Sequence, residues 1–152
     1  MNPTNKKSLI IDLPLTFLSI IMLSYFAIPK ITHSEISLKG FADFSPSLGL
    51  DPLAFMIFTG YMELTIAALF LVGLFLIQTK PLVLWIANGL LLGTMAAALY
   101  IEFFARTNTV NLLVMIAFAF SILAITQLVR HSAAVMNLIS VRAKALSCAK
   151  SQ

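Results

Sequence analysis

The sequence predicts an all-α protein, a four-helix transmembrane bundle, and three observations carry that prediction. Of its 152 residues 60% are hydrophobic and only 11% charged, outside the balance of a domain that folds in water. The apolar residues gather into four runs, each long enough to cross a hydrocarbon layer of about 30 Å. Two of the three connections between these runs are only a few residues long, as antiparallel neighbours require. The runs occupy more than half the chain and leave no room for a separate catalytic domain in water.

The first span covers residues 13–28, about 24 Å at 1.5 Å per residue, and draws on residues 9–11 to reach full thickness. Asp12, Leu13 and Pro14 read as its start, the carboxylate capping free amides and the proline sitting in the first turn. Pro29 has no amide hydrogen, so it either ends the helix near the membrane surface or kinks it, the helix then continuing to Ile31. Lys6 and Lys7 ahead of an apolar run are also the opening of a secretory signal. The run is long for a signal core and lacks a small-x-small cleavage site near Ala27, so it is expected to remain as the first span.

Residues 32–51 follow, broken by His33, Glu35, Lys39, Gly40, Asp43, Pro46 and Gly49. Phe41, Phe44, Leu48 and Leu50 within them predict a short, partly ordered segment folded against the membrane surface. Asp51 and Pro52 then make a cap and first-turn pair for a second span over residues 53–77, about 37 Å long, which must tilt or protrude. Gln78, Thr79 and Lys80 turn the chain into a third span from Pro81 to about Phe104. Residues 105–109 turn it again into a fourth over 110–129. The membrane domain is thus residues 1–131. The remainder, 132–152, reads as a basic amphipathic tail in which Val135, Leu138, Ile139 and Leu146 recur at helical spacing while Arg142 and Lys144 meet lipid headgroups.

The net charge is +4, and its placement predicts orientation. Lys6, Lys7, Lys80, Arg130, Arg142, Lys144 and Lys150 fall on one side, and Lys30, Lys39 and Arg106 on the other. That bias places both termini in the cytoplasm. Nucleic acid is excluded as a partner, because Lys6/Lys7 is the only adjacent basic pair. The lone Cys148 cannot form an intrachain disulfide. His33 and His131 fall on opposite sides, so they share neither a haem nor a metal, and no metal site is expected. The chain has no phosphate loop, helical zinc motif or nucleophile elbow.

Glu63 is the most informative residue. It lies about 15 Å down the second span, close to mid-bilayer, where a carboxylate costs several kcal/mol unless it is paired, protonated or facing a polar cavity. Gly60, Glu63 and Ala67 share a face, which directs Glu63 to a seam where small residues let backbones approach. Two roles stay open for it, a packed acid bonded to a neighbouring helix and a group that handles protons or binds a quinone. In the third span Gly89, Gly93 and Ala97 form a small-residue ridge suited to internal packing or to a homo-oligomer, and Asn88 is read as interhelical glue. Glu102 and Arg106 are one turn apart and can pair. With Tyr100, Tyr25 and Lys30 at the same level, they and the deeper Glu63 either rim one outward cavity or act as scattered interfacial anchors. Lys30, Glu63, Tyr100, Glu102 and Arg106 are therefore the candidate site.

Leu48-Gly49-Leu50-Asp51-Pro52, Gly60-Tyr61-Met62-Glu63-Leu64 and Leu71-Val72-Gly73 together resemble the DoxX-like family of small four-helix membrane proteins. Gly60 and Glu63 match that family's Gly-x-x-Glu, Gly73 its later glycine, and Ala27-Ile28-Pro29-Lys30-Ile31 its small-residue-plus-lysine ending of the first helix. Pro29 departs from the pattern. So does the start of the first helix, where the family has a basic residue and this chain has Lys6/Lys7 or Asp12. The resemblance implies an accessory or assembly subunit of a membrane-associated redox complex in a bacterial cytoplasmic membrane, without a complete catalytic centre of its own. It also implies an alternative, a quinone-interacting oxidoreductase component using Glu63 as its catalytic group. A proton-coupled small-solute carrier is the third reading.

Overall fold

The computed structural model describes residues 3–76 and 81–150 of the chain. Helix α1 covers Pro3–Ile31, α2 Glu35–Phe44, α3 Pro52–Leu76, α4 Pro81–Tyr100 and α5 Asn111–Lys150. A 3-10 turn at Ser45–Leu48 follows α2, and a π-helical turn at Ile101–Ala105 follows α4. Four of the helices contain stretches long and apolar enough to cross a membrane: Asp12–Ile31, Pro52–Leu76, Leu82–Ala105 and Asn111–Ser132. The lipid-facing surface is correspondingly apolar, with Phe75, Phe104, Val129 and Tyr25 among its exposed large side chains.

The helices pack in sequence: α1 against α3, α3 against α4, and α4 against α5, while α1 and α5 touch only lightly. Leu23, Ile66, Phe70, Leu84, Leu91 and Phe120 interlock between them as the core. Two glycines set the closeness of these contacts. A methyl group on Gly73 would stand 2.5 Å from Leu84 Cδ2, and one on Gly60 would stand 3.0 Å from both Ile31 Cγ1 and Lys30 Cβ. No side chain other than hydrogen fits at either place without a shift.

Several elements differ from their sequence reading. Helix α1 begins at Pro3, not at Asp12, and Pro14 lies inside it. Asp12 is fully buried and pairs with α5, so a tertiary ion pair takes the carboxylate that local reasoning assigns to a cap. At its other end the helix takes the second of the two expected courses and runs through Pro29 to Ile31. It ends where His33 adopts a left-handed φ of 55°, with the Ser34 amide donating back to the Pro29 carbonyl at 2.9 Å. The α-helical part of the third span stops at Tyr100 rather than Phe104, since the Arg106 amide bonds five residues back to Ile101 at 2.9 Å. Helix α5 runs unbroken across residues 131 and 132 as far as Lys150.

Other expectations match. Asp51 caps α3, its Oδ1 accepting from the Ala54 amide at 2.7 Å. The segment expected to be ordered between the first two spans is so, and residues 35–44 of it form a helix. Of the two uses left open for the ridge, internal packing is not served by its glycines, since Gly89 and Gly93 meet nothing within 4 Å of where a Cβ would stand. The turn at 78–80, the side chains of Lys6 and Lys7, and those of Leu138, Ile139, Arg142, Lys144, Leu146 and Cys148 in the tail lie outside the described residues.

Candidate functional site

The end of the bundle that carries α2 holds the candidate residues, and it joins four of them in two ion pairs. Lys30, in the last turn of α1, pairs with Glu63 Oε1 of α3. Gly60 makes this contact feasible, because the Lys30 stem lies where a side chain at 60 would be. Both charged chains are mostly buried, 16% and 14% exposed, and the second carboxylate oxygen of Glu63 has no hydrogen-bond partner among the described residues. Glu63 therefore faces a helix seam and a lysine.

Arg106 makes the second pair, with Glu102 Oε1 at 2.6 Å. The π-helical turn matters here, since it rotates Glu102 inward until only 4% of the residue is exposed. Its other oxygen accepts from the Val110 amide at 2.9 Å, at the start of α5. Arg106 also donates to the Gly40 carbonyl at 3.2 Å and lies 3.6 Å from Asp43 Oδ2, both on α2. Thr107 adds a bond to Asp43 Oδ1 at 3.1 Å, and Ser47 donates to the Ala105 carbonyl at 3.0 Å. One arginine thus ties α2, the π turn and, through Glu102, the start of α5.

Helix α2 bridges the two pairs with aromatic rings. Lys30 Nζ lies 5.8 Å from the centre of the Phe41 ring, and the Arg106 guanidinium 5.2 Å from that of Phe44. The two rings are 5.1 Å apart and both contact Phe55 of α3. Measured from the level where Gly73 meets Leu84, Glu63 stands about 15 Å up its helix and Glu102 about 27 Å up its own, so the first pair lies roughly 12 Å deeper. Tyr100 does not join them. It is 56% exposed and stacks on Phe104, 5.2 Å away, on the outside of the bundle. Tyr25, 68% exposed, also points outward.

A second polar cluster stands at the opposite end. Asp12 of α1 lies 3.1 Å from Arg130 and 3.9 Å from His131 of α5. Asn88 of α4 donates to the Leu84 carbonyl at 2.8 Å and to Gln127 of α5 at 3.4 Å, which is the interhelical glue its sequence position suggests. Thr16 and Gln127 are fully buried. Neither is a candidate by its residue type alone, although each carries a signal in the sequence: Thr16 is one turn after Asp12, and Gln127 one turn before His131.

A shallow apolar groove of about 190 Å³ runs along the α1–α3 seam, lined by Ile20, Ser24, Leu64, Ala67, Ala68 and Leu71. Among the described residues no three His, Cys, Asp or Glu side chains gather as metal ligands would. The fold and the two clusters define an integral membrane helical bundle whose buried charges are paired between helices. No protein-family model, curated protein or solved structure matches the chain.

Proposed function

We propose that this protein is an accessory or assembly subunit of a membrane-associated redox complex, in the manner of the DoxX-like proteins its motifs resemble. The observation that carries the reading is the outward face of α4. Gly89, Gly93 and Ala97 are exposed there, with open space where the glycines' side chains would be. Against lipid a glycine face forfeits packing, whereas against another helix it permits backbone contact. The partner that fits is a transmembrane helix of a redox enzyme or of a second copy of this chain. The excess of basic residues near both ends favours a cytoplasmic location for the termini, in a bacterial cytoplasmic membrane.

Native mass measurement after mild detergent extraction tests this reading. The wild type is expected to carry a partner or a second copy, and Gly93→Leu to release it. A wild type that is strictly monomeric and free of companions would refute the assignment.

One observation favours the alternative of a quinone-interacting component. The unpartnered oxygen of Glu63 and the apolar groove lie on the same α1–α3 seam, a polar point above a slot suited to an isoprenoid tail. Quinone affinity should then fall in Glu63→Gln, and equal affinity in the two proteins would remove Glu63 from that role.

A further inference from the structure

The cluster at the opposite end has chemistry that the proposed function does not use. Thr16 lies one turn deeper than Asp12 on α1, and Gln127 one turn deeper than His131 on α5. Thr16, Asn88 and Gln127 are fully buried and His131 is 8% exposed. Yet Thr16 Oγ1, Asn88 Oδ1, Gln127 Nε2 and His131 Nε2 have no hydrogen-bond partner among the described residues. Each such atom forgoes its hydration on burial unless something polar replaces it.

The types of these atoms narrow what that can be. Asn88 Oδ1 only accepts, Gln127 Nε2 only donates, and the threonine hydroxyl and imidazole nitrogen can do either. Turning the amides over does not help, for it would set the Asn88 carbonyl against the Leu84 carbonyl, or the Gln127 amino group against that of Asn88. A metal cation requires acceptors throughout and would meet the Gln127 amino group and Arg130. An apolar ligand would satisfy none of the four. Water both donates and accepts, and it fits the mixture.

The surroundings agree. The cluster lies between α1 and α5, which pack only lightly against each other. Asp12 and His131 are 3.9 Å apart, too far for a direct hydrogen bond and suited to one bridging water. Of the helices that meet here, α1 presents Asp12, α5 presents Arg130 and His131, and α4 presents the neutral Asn88. Farther along the same helices, Leu23, Leu91, Phe120 and Ala124 belong to the dry core.

We propose that this end of the α1–α5 seam is a water-filled inlet. It admits water and exchangeable protons about one helical turn past the Asp12–His131 pair, which forms its mouth, and it ends at Thr16, Gln127 and Asn88.

Cysteine labelling tests the inlet in the full-length protein with Cys148→Ser as background. Thr16→Cys and Gln127→Cys are compared with Phe17→Cys and Thr126→Cys, their neighbours on the exposed faces of the same helices. Membrane vesicles opened to expose both faces are treated with 2-aminoethyl methanethiosulfonate, and modification is followed by mass. The thiolate attacks the sulfenyl sulfur of this reagent, forming a mixed disulfide and releasing methanesulfinate, and the thiolate forms where water reaches the sulfur. The inward cysteines should react at least tenfold faster than their lipid-facing neighbours. Equal or slower reaction at the inward positions would mean a dry seam and overturn the proposal. The two positions lie on different helices, so loss of the fold in one variant leaves the other to decide.

Discussion

Separating Lys30 from Glu63 should be the most costly single change at the α2 end of the bundle, and the size of the loss follows from where the two groups sit. Both side chains are mostly buried, so neither orphan regains full hydration when its partner goes. Removing one member of such a pair costs about 3–5 kcal/mol. The two halves should not cost the same. Lys30 is one residue from the end of α1 and has a four-carbon stem that can carry its ammonium toward the headgroups. Glu63, about 16 Å from the start of α3 and with two methylenes, cannot reach them. Lys30→Met, which strands the carboxylate, is expected to cost about 4 kcal/mol and Glu63→Gln about 3 kcal/mol. The double variant buries no charge and leaves only the glutamine amide without its partner, so it should cost only about 2 kcal/mol. It would thus fall about 5 kcal/mol short of additivity, a large coupling against a total stability of about 5–15 kcal/mol. Reversible unfolding in mixed micelles, followed by far-ultraviolet circular dichroism, reads all four proteins. If the single losses add to the double within about 0.5 kcal/mol, the two residues do not interact and the reasoning fails.

Three further outcomes are expected. Gly60→Val should destabilise the bundle by about 1–3 kcal/mol, because a Cβ there meets Ile31 and Lys30 at 3.0 Å and the Ala27 carbonyl at 3.4 Å; thermal unfolding in detergent would show it. Glu102→Gln removes the charge that answers Arg106 and should speed hydrogen exchange of the α2 amides at least tenfold, while exchange in the middle of α3 stays as it was. Gly73→Ala should cost about 1–3 kcal/mol alone, yet raise stability when Leu84→Ala is already present, since the added methyl then fills space that the leucine vacated; a four-protein unfolding comparison reads the change of sign.

The spans were legible because hydrocarbon length and apolar runs are properties of a local window, and so was the Asp51 cap, whose bond reaches only to Ala54. Glu63 was readable for a related reason: Gly60, one turn earlier, marks the face on which another helix comes close. What escaped the sequence was the choice of partner. Asp12 followed closely by Pro14 has the form of a helix start, and nothing nearby announces that the carboxylate belongs to Arg130 on the last helix. Small residues behave alike in this respect. Gly60 and Gly73 are pressed against α1 and α4, while Gly89 and Gly93 face outward, although all four license the same close approach. The π turn was hidden too. One bond reaching five residues back, rather than four, turns Glu102 from a surface acid into a buried link to Arg106 and the start of α5.

The two polar clusters bear differently on transport than either does alone. Lys30 and Glu63 lie toward one end, Asp12, Arg130 and His131 at the other, and between them Leu23, Ile66, Leu91 and Phe120 form a buried apolar layer. A charged or polar solute passing from one cluster to the other would give up its hydration within that layer. A carrier mechanism would therefore require α1 and α5, which touch only lightly, to part along their whole length while the Asp12–Arg130 contact broke. The Asp12–Arg130 pair opposes such a movement, since its loss would leave charges exposed to hydrocarbon. Purified protein in sealed proteoliposomes should accordingly pass small polar solutes no faster than empty vesicles. Saturable uptake driven by a proton gradient would show that the apolar layer opens, and that the buried charges line a route rather than join helices.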